Sequence, residues 1–219
     1  MIRLTSPINL LLLAIGIAAT AAGFLLVSPG IDLPIHWGLD GQIDATLPRN
    51  LALLQMPIAI AGVWLIFWAI GRFGNAERQQ ASNHVLNAAL PAVTGLLVLV
   101  QILIVMVGLG IAVDVVRAIV IGLALLEIVL GNALPKSQPN WVAGIRIPTT
   151  LNDPGNWQAT HRLTGLLMML GGAVTFVAAL AVTASSVLLI TVLASLLVPV
   201  AVGVVYSLVY ARRSGSRAT

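Results

Sequence analysis

The sequence contains no cysteine, so a disulfide framework, a thiol nucleophile and a thiolate metal site are all excluded. Charge is nearly as scarce: 8% of the 219 residues are charged, against roughly a quarter in soluble domains. With 59% apolar residues and a mean hydropathy of +1.03, a chain this poor in charge belongs in lipid. Catalytic signatures are missing too. There is no HExxH zinc helix, no GxSxG elbow and no GxxxxGK phosphate loop. His161 and Asp153 fall in one loop, as a base and its orienting carboxylate would, but no nucleophile stands beside them, and the expectation is a protein that is not an enzyme and carries no cofactor. The net charge of +4 does not point to nucleic acid, because the basic residues flank apolar runs, where membrane orientation requires them.

What is present is six apolar runs, each of a length to cross a ~30 Å hydrocarbon core. They are predicted at Ile8–Val27, Leu51–Ile70, Val85–Val113, Ala118–Leu134, Leu163–Val182 and Val187–Tyr210. The fold class expected is therefore all-α, a polytopic bundle of six transmembrane helices. Ala19, Thr20 and Ala21 resemble a signal-peptide cleavage pattern, but the apolar run continues past them to Val27, which favours a span. Arg3, Arg72, Arg78, Lys136, Arg146, Arg162, Arg212, Arg213 and Arg217 fall on one side of such a bundle, and only Arg49 and Arg117 on the other. The positive-inside rule then predicts cytoplasmic N and C termini in a bacterial inner membrane. Asp32, Asp40, Asp44 and Asp114 lie on the outer side.

The longest polar interval, residues 131 to 162, is not linker composition. Pro135, Pro139, Pro148 and Pro154 stiffen it, and Trp141 and Trp157 add bulk, where a flexible linker would be rich in Gly and Ser. Asp153 before Pro154 reads as a helix cap with proline at the first helical position. Lys136, Arg146 and Arg162 with the two tryptophans are also what any membrane-interface segment shows, so contact with lipid head groups accounts for much of this composition. Anchoring needs no defined backbone, however. The prolines and the glycines Gly144 and Gly155 favour a shaped docking surface.

Polar residues inside the spans form stripes. His84, Asn87, Pro91, Thr94, Gln101 and Gly108 share one face of the third span; His161, Gly165, Met168, Gly172 and Thr175 share one of the fifth; Ser195, Pro199, Gly203, Tyr206 and Tyr210 share one of the sixth. Such faces turn inward and are expected to meet in the bundle. Glu127 is the one acidic residue deep in a span, and Gln101 and Tyr206 are its candidate partners, either for a proton or cation relay or as a neutral tie between helices. On the outer side His36, Asp40 and Asp44 recur every four residues, but Pro34, Gly38 and Gly41 oppose a helix there. An ordered loop is expected rather than a metal site, in a position to meet an external molecule.

The run Gly131, Asn132, Leu134, Pro135, Lys136, Pro139, Asn140, Gly144, Ile145, Arg146, Pro148 and Thr150, followed by Trp157, Thr160, His161, Arg162 and Gly165, resembles the SdpI family of bacterial membrane immunity proteins. Leu33 to Trp37 with Gly41 and Asp44 is similar to a short module that often precedes that family. The resemblance implies a two-span N-terminal module over 1–71 and a four-span module over 72–219 with a cytoplasmic loop at 135–162. It implies protection against a membrane-active peptide toxin met on the outer side, together with binding of a cytoplasmic transcriptional repressor. Carried residue by residue, it makes Asn132, Pro135, Lys136, Asn140, Gly144, Arg146, Trp157, His161 and Arg162 the expected functional loop surface. The competing expectation is a small ion-coupled transporter that uses Glu127 and Gln101 in a polar interior.

Overall fold

The structure is a computed structural model; it describes residues 2–38, 40–74 and 76–215, without the side chains of 76–78 and 215. Arg78 and Arg217, counted above for orientation, lie outside the described side chains.

Among the described residues, six helices are long and apolar enough to cross a membrane. They are α1 (Pro7–Leu26), α2 (Arg49–Phe73), α3 (Ala76–Gly108), α4 (Val115–Ala133), α6 (Pro154–Ala181) and α7 (Ser185–Gly215), with a single turn α5 (Pro148–Leu151) between α4 and α6. The protein is a multi-pass membrane protein. α1 passes unbroken through Ala19–Ala21.

The third span starts nine residues before its expected Val85 and stops at Gly108, five before the expected Val113. Hydropathy does not register a helix cap. Leu109 is followed by Gly110 at φ +74°, and Ile111 N–H returns to the Met106 carbonyl at 3.0 Å, which closes the helix while the sequence stays apolar. α6 likewise begins nine residues ahead of Leu163, because the Asp153 carboxylate accepts from Gly155 N–H at 2.8 Å and Asn156 N–H at 3.1 Å.

α1 lies on α3 more extensively than on α2, its neighbour in sequence. The two run parallel: Arg3 N–H meets Asn87 Oδ1 at 2.7 Å, Gly16 faces Val98, and Gly23 faces Val105. α6 is the central helix of the second half, packed against α4 and α7. What α1 buries is Asn9, Gly16 and Gly23, while its leucines and isoleucines other than the half-buried Leu12 and Leu13 stay exposed, as expected where lipid supplies no hydrophobic drive and close approach of small residues does.

One feature adds to the all-helical expectation. The outer segment read as an ordered loop is an antiparallel hairpin, β1 (Asp32–Trp37) with β2 (Ile43–Pro48), with register irregularities around His36. Leu33 is buried with Val27, Leu53, Ile104 and Val105, and Trp37 packs on the Val116, Val120 and Leu188 cluster, so the hairpin rests on both halves of the bundle. Arg49, at the end of β2, donates to the Gly23 carbonyl at 3.2 Å and to that of Phe24, capping the C-terminus of α1.

On the same face, Asp114 caps α4. Its carboxylate accepts from Arg117 N–H at 3.0 Å and Arg117 Nε at 2.9 Å, while Arg117 Nη1 reaches the Ala179 carbonyl of α6 at 2.7 Å. Burial pushes the Asp114 carboxyl up, but the two Arg117 hydrogen bonds and its charge outweigh this and hold the group below the ordinary 3.8. A depressed native pKa contributes stability above the unfolded value, and that contribution is lost as pH falls through the native one. Melting temperature measured below pH 4 should therefore fall more for the wild type than for Asp114→Asn, and the two should fall in parallel if the pair contributes nothing.

Candidate functional site

The segment between α4 and α6 is held as a packed element. It leaves α4 through a short 3₁₀ turn, Leu134–Lys136, after which Ser137 Oγ donates back to the Leu134 carbonyl at 2.8 Å. Gln138 N–H donates to the Ala81 carbonyl of α3 at 3.0 Å. Asn140, buried, then shapes the next turn: Oδ1 accepts from Val142 N–H at 2.9 Å and Ala143 N–H at 2.8 Å, and Nδ2 donates to the Gln138 carbonyl at 2.8 Å. Gly144 follows at φ +108°, a conformation that favours glycine, and a Cβ there would also collide with His161 Nε2.

The first turns of α6 supply the other side of the lock. Trp157 and His161 are one helical turn apart, both fully buried, with rings stacked 4.0 Å apart at 23°. Trp157 Nε1 donates to the Ser137 carbonyl at 3.1 Å and contacts Ser137 Oγ at 3.2 Å. His161 Nε2 accepts from Ile145 N–H at 2.9 Å, which leaves Nδ1 to carry the proton it donates to the Trp157 carbonyl at 2.7 Å. Both ring nitrogens are therefore engaged in holding the loop. Asp153 is occupied at the helix cap, so the base and orienting carboxylate considered from sequence do not form. Past Ile145, Thr150 Oγ1 donates to its carbonyl at 2.6 Å, Thr149 bonds Ser207 of α7 at 2.7 Å, and Asn156 Nδ2 donates to the Ser207 carbonyl at 3.0 Å.

The expected loop residues thus divide into two groups. Asn140, Trp157 and His161 lie inside and fix the backbone, with Pro135 half-buried against Gly165. Asn132, Lys136, Gly144, Arg146 and Arg162 are exposed, as is Trp141, whose carbonyl accepts from Arg146 Nη1. Any docking surface is the second group, shaped by the first. Sequence reasoning missed Ser137, Asn156 and Ser207, small polar residues that read as ordinary loop and helix positions, and named Thr150 only as part of the resembling run.

Below the loop the sixth-span stripe packs on α6 through residues outside the expected fifth-span stripe: Gly203 abuts Thr164 and Ile145, and Ser195 abuts Gly171, whereas Gly165 and Gly172 of that stripe turn to α4, where Gly172 abuts the Ala124 carbonyl. Gly131 and Gly165 bring α4 and α6 together so closely that a Cβ on Gly131 would lie 2.7 Å from the Gly165 carbonyl oxygen. The third-span stripe turns elsewhere: Thr94 accepts from Trp64 Nε1 of α2 at 3.2 Å, and Gln101 Nε2 donates to the Leu53 carbonyl of α2 at 3.2 Å. Gln101 therefore points away from the α6–α7 side. Glu127 contacts the Ser195 hydroxyl instead, beside Gly171, and Tyr206 is 37% exposed, its ring tilted at 47° to that of Tyr210. Glu127 is 2% exposed, and its Oε1 has no hydrogen-bond partner among the described residues. On the hairpin, His36 Nδ1 pairs with Asp44 Oδ1 at 2.6 Å, and Asp40 accepts from Gln42 N–H at 3.0 Å, closing the turn.

Residues 136–207 match the SdpI/YfhL protein family. Over that segment, about a third of its length, the chain is similar to the SdpI family. The chain is also similar to the Immunity protein SdpI of Bacillus subtilis (strain 168), 23% identical over 141 residues. That similarity covers 64% of this chain and 66% of the relative, slightly under two thirds of its length. No solved structure matches the chain. The SdpI-family segment contains the whole lock, from Ser137 through Asn140, Gly144, Trp157 and His161 to Ser207. Asn132, Pro135 and Glu127 lie ahead of it, as do the hairpin and the first four spans.

Proposed function

We propose that this chain is a membrane immunity protein that protects its host against a membrane-active peptide toxin. What carries the reading is a coincidence of boundaries: the segment that matches the SdpI family is also the segment where a buried tryptophan and histidine hold one loop shape. The similar curated protein is named for immunity. In this reading the termini and the loop are cytoplasmic, the His36–Asp44 hairpin meets the toxin outside, and the exposed Lys136, Arg146 and Arg162 form a basic surface for lipid head groups and an acidic face of a repressor. The two modules, 1–71 and 72–219, act together through the hairpin. The proposal has no catalytic step.

The test is survival of a sensitive bacterium carrying this chain under challenge with membrane-active peptides. The wild type should protect, and Arg146→Ala, whose described side-chain bond is a surface contact with the Trp141 carbonyl, should lower signalling to the repressor at unchanged protein level. Absence of protection against every peptide tested, with the protein present in the membrane, would overturn the reading.

The half-satisfied Glu127 carboxyl favours a second reading, ion-coupled export of the peptide. Protection that survives Glu127→Gln and is insensitive to membrane potential would exclude it.

A further inference from the structure

Two cavities follow one another along α3, the first lined by residues up to Asn87 and the second by residues from Ala88. The first, about 680 Å³, is polar and is lined by Arg3, Gln80, Asn83, His84 and Asn87. It lies where the apolar run of α1 ends, and Arg3 and His84 are exposed to the medium. The second, about 420 Å³, begins one turn further along α3 and runs between Ile8 and Leu12 of α1, Ala88 to Leu99 of α3, and Gly122 to Val129 of α4. Its lining is almost wholly hydrocarbon. Both volumes fall in the ~300–1,000 Å³ range of pockets that hold small molecules.

Depth decides what fits. From Ala88 to Leu99 an α-helix rises about 16 Å, which is about half of a ~30 Å hydrocarbon core, or one leaflet. A groove one leaflet deep, capped at its outer end by a guanidinium, an imidazole and three amides, has the shape of a phospholipid. No carboxylate lines the polar end among the described residues, and neither described ion pair involves Arg3. Basic pockets between spanning helices recognise anionic head groups in this way.

We propose that this is a binding site for an anionic phospholipid, with the phosphate at Arg3 and His84 and one acyl chain between Leu12, Gly95 and Gly122. Gly95 leaves the groove open, since a Cβ there would come no nearer to Leu12 than 3.8 Å. The site lies wholly outside the SdpI-family segment and is independent of the immunity reading.

The experiment is native mass spectrometry of the full-length protein in detergent, titrated with phosphatidylglycerol, with phosphatidylcholine and with inorganic phosphate. The wild type should retain phosphatidylglycerol in preference to phosphatidylcholine, and inorganic phosphate should not displace it. Arg3→Gln, a surface change, should weaken phosphatidylglycerol about tenfold, the loss of one charge-assisted contact, and leave phosphatidylcholine unchanged. Gly95→Leu should weaken both lipids at an unchanged melting temperature. Equal retention of the two lipids by the wild type, or an Arg3→Gln variant that binds like the wild type, would overturn the proposal. Displacement by inorganic phosphate would overturn it in favour of a free-anion site.

Discussion

Trp157→Ala is expected to lower the stability of the detergent-solubilised protein by about 3–5 kcal/mol, the range for deleting a large buried aromatic. The indole is 0% exposed and touches the loop in three ways: it stacks on His161, it donates to Ser137, and its ring edge lies 3.4 Å from where a Cβ on Gly144 would sit. Removing it leaves a cavity beneath Gly144 and an unpaired Ser137 carbonyl, and takes away the wall against which the His161 ring is held. Trp157→Phe separates these effects. It keeps an aromatic stack and loses the Nε1 bond, which should cost about 1 kcal/mol for the hydrogen bond, plus the smaller ring's packing deficit. Denaturant titration followed by near-ultraviolet circular dichroism reads both. If Trp157→Ala stayed within about 0.5 kcal/mol of wild type, the loop would behave as an ordinary surface connection. On the immunity reading, Trp157→Ala also abolishes protection, although the indole itself meets no partner.

Gly165→Val should prevent the protein from accumulating folded in the membrane. At the α4–α6 crossing the groups in the way are backbone. A Cβ on Gly165 would fall on the Gly131 carbonyl oxygen and 2.9 Å from Pro135 Cγ and Cδ. Carbonyls and a proline ring cannot rotate aside as a flexible side chain does, so the helices must separate along their contact. Even Gly165→Ala should cost at least the ~1–3 kcal/mol of an overpacked core. Gly62 is the matched control: nothing lies within 4 Å of a Cβ there, so Gly62→Ala should raise stability by about 0.5–1 kcal/mol through helix propensity alone. Size-exclusion profiles and melting temperatures of the pair decide the matter. Equal profiles for Gly165→Val and wild type would mean that α4 and α6 are not in such close contact.

Much of this architecture was visible in hydropathy, because a span must be ~20 apolar residues long whatever its neighbours are. The start of α6 was visible as well, since Asp153 and Pro154 act through local hydrogen bonding and a fixed φ. Where the structure departs from expectation, the deciding interaction was non-local or was masked by hydropathy. The end of α3 is set by Gly110 within a run that remains apolar, and the hairpin by pairing across a turn, with Leu33 and Trp37 reaching separate cores. In the loop, residue types marked an ordered element without telling inside from outside. His161 and Arg162 are adjacent and both polar, yet one is buried and the other exposed. That difference follows from helix phase relative to Gly144, about 58 Å away along a fully extended chain at ~3.4 Å per residue but a single contact once folded. The partner of Glu127 was misplaced for a similar reason. The polar stripe of α3 was taken to face the common interior, whereas Thr94 and Gln101 are drawn to α2.

The parallel contact between α1 and α3 sets an order for biogenesis. The chain is made from its N-terminus, and α1 reaches the bilayer before the helix that will cover Asn9, Gly16 and Gly23 exists. α2 brings only Leu53 to Gly23 and Ile60 to Gly16, so the rest of that face waits in lipid until residues 87 to 105 have followed it in. During that interval Asn9 depends on Arg3, whose carbonyl accepts from its Nδ2 at 2.8 Å, for the hydrogen bond that keeps its amide from standing bare against acyl chains. The first span is thus held as a temporary guest of the membrane, and it becomes a fixed part of the protein only when the third arrives.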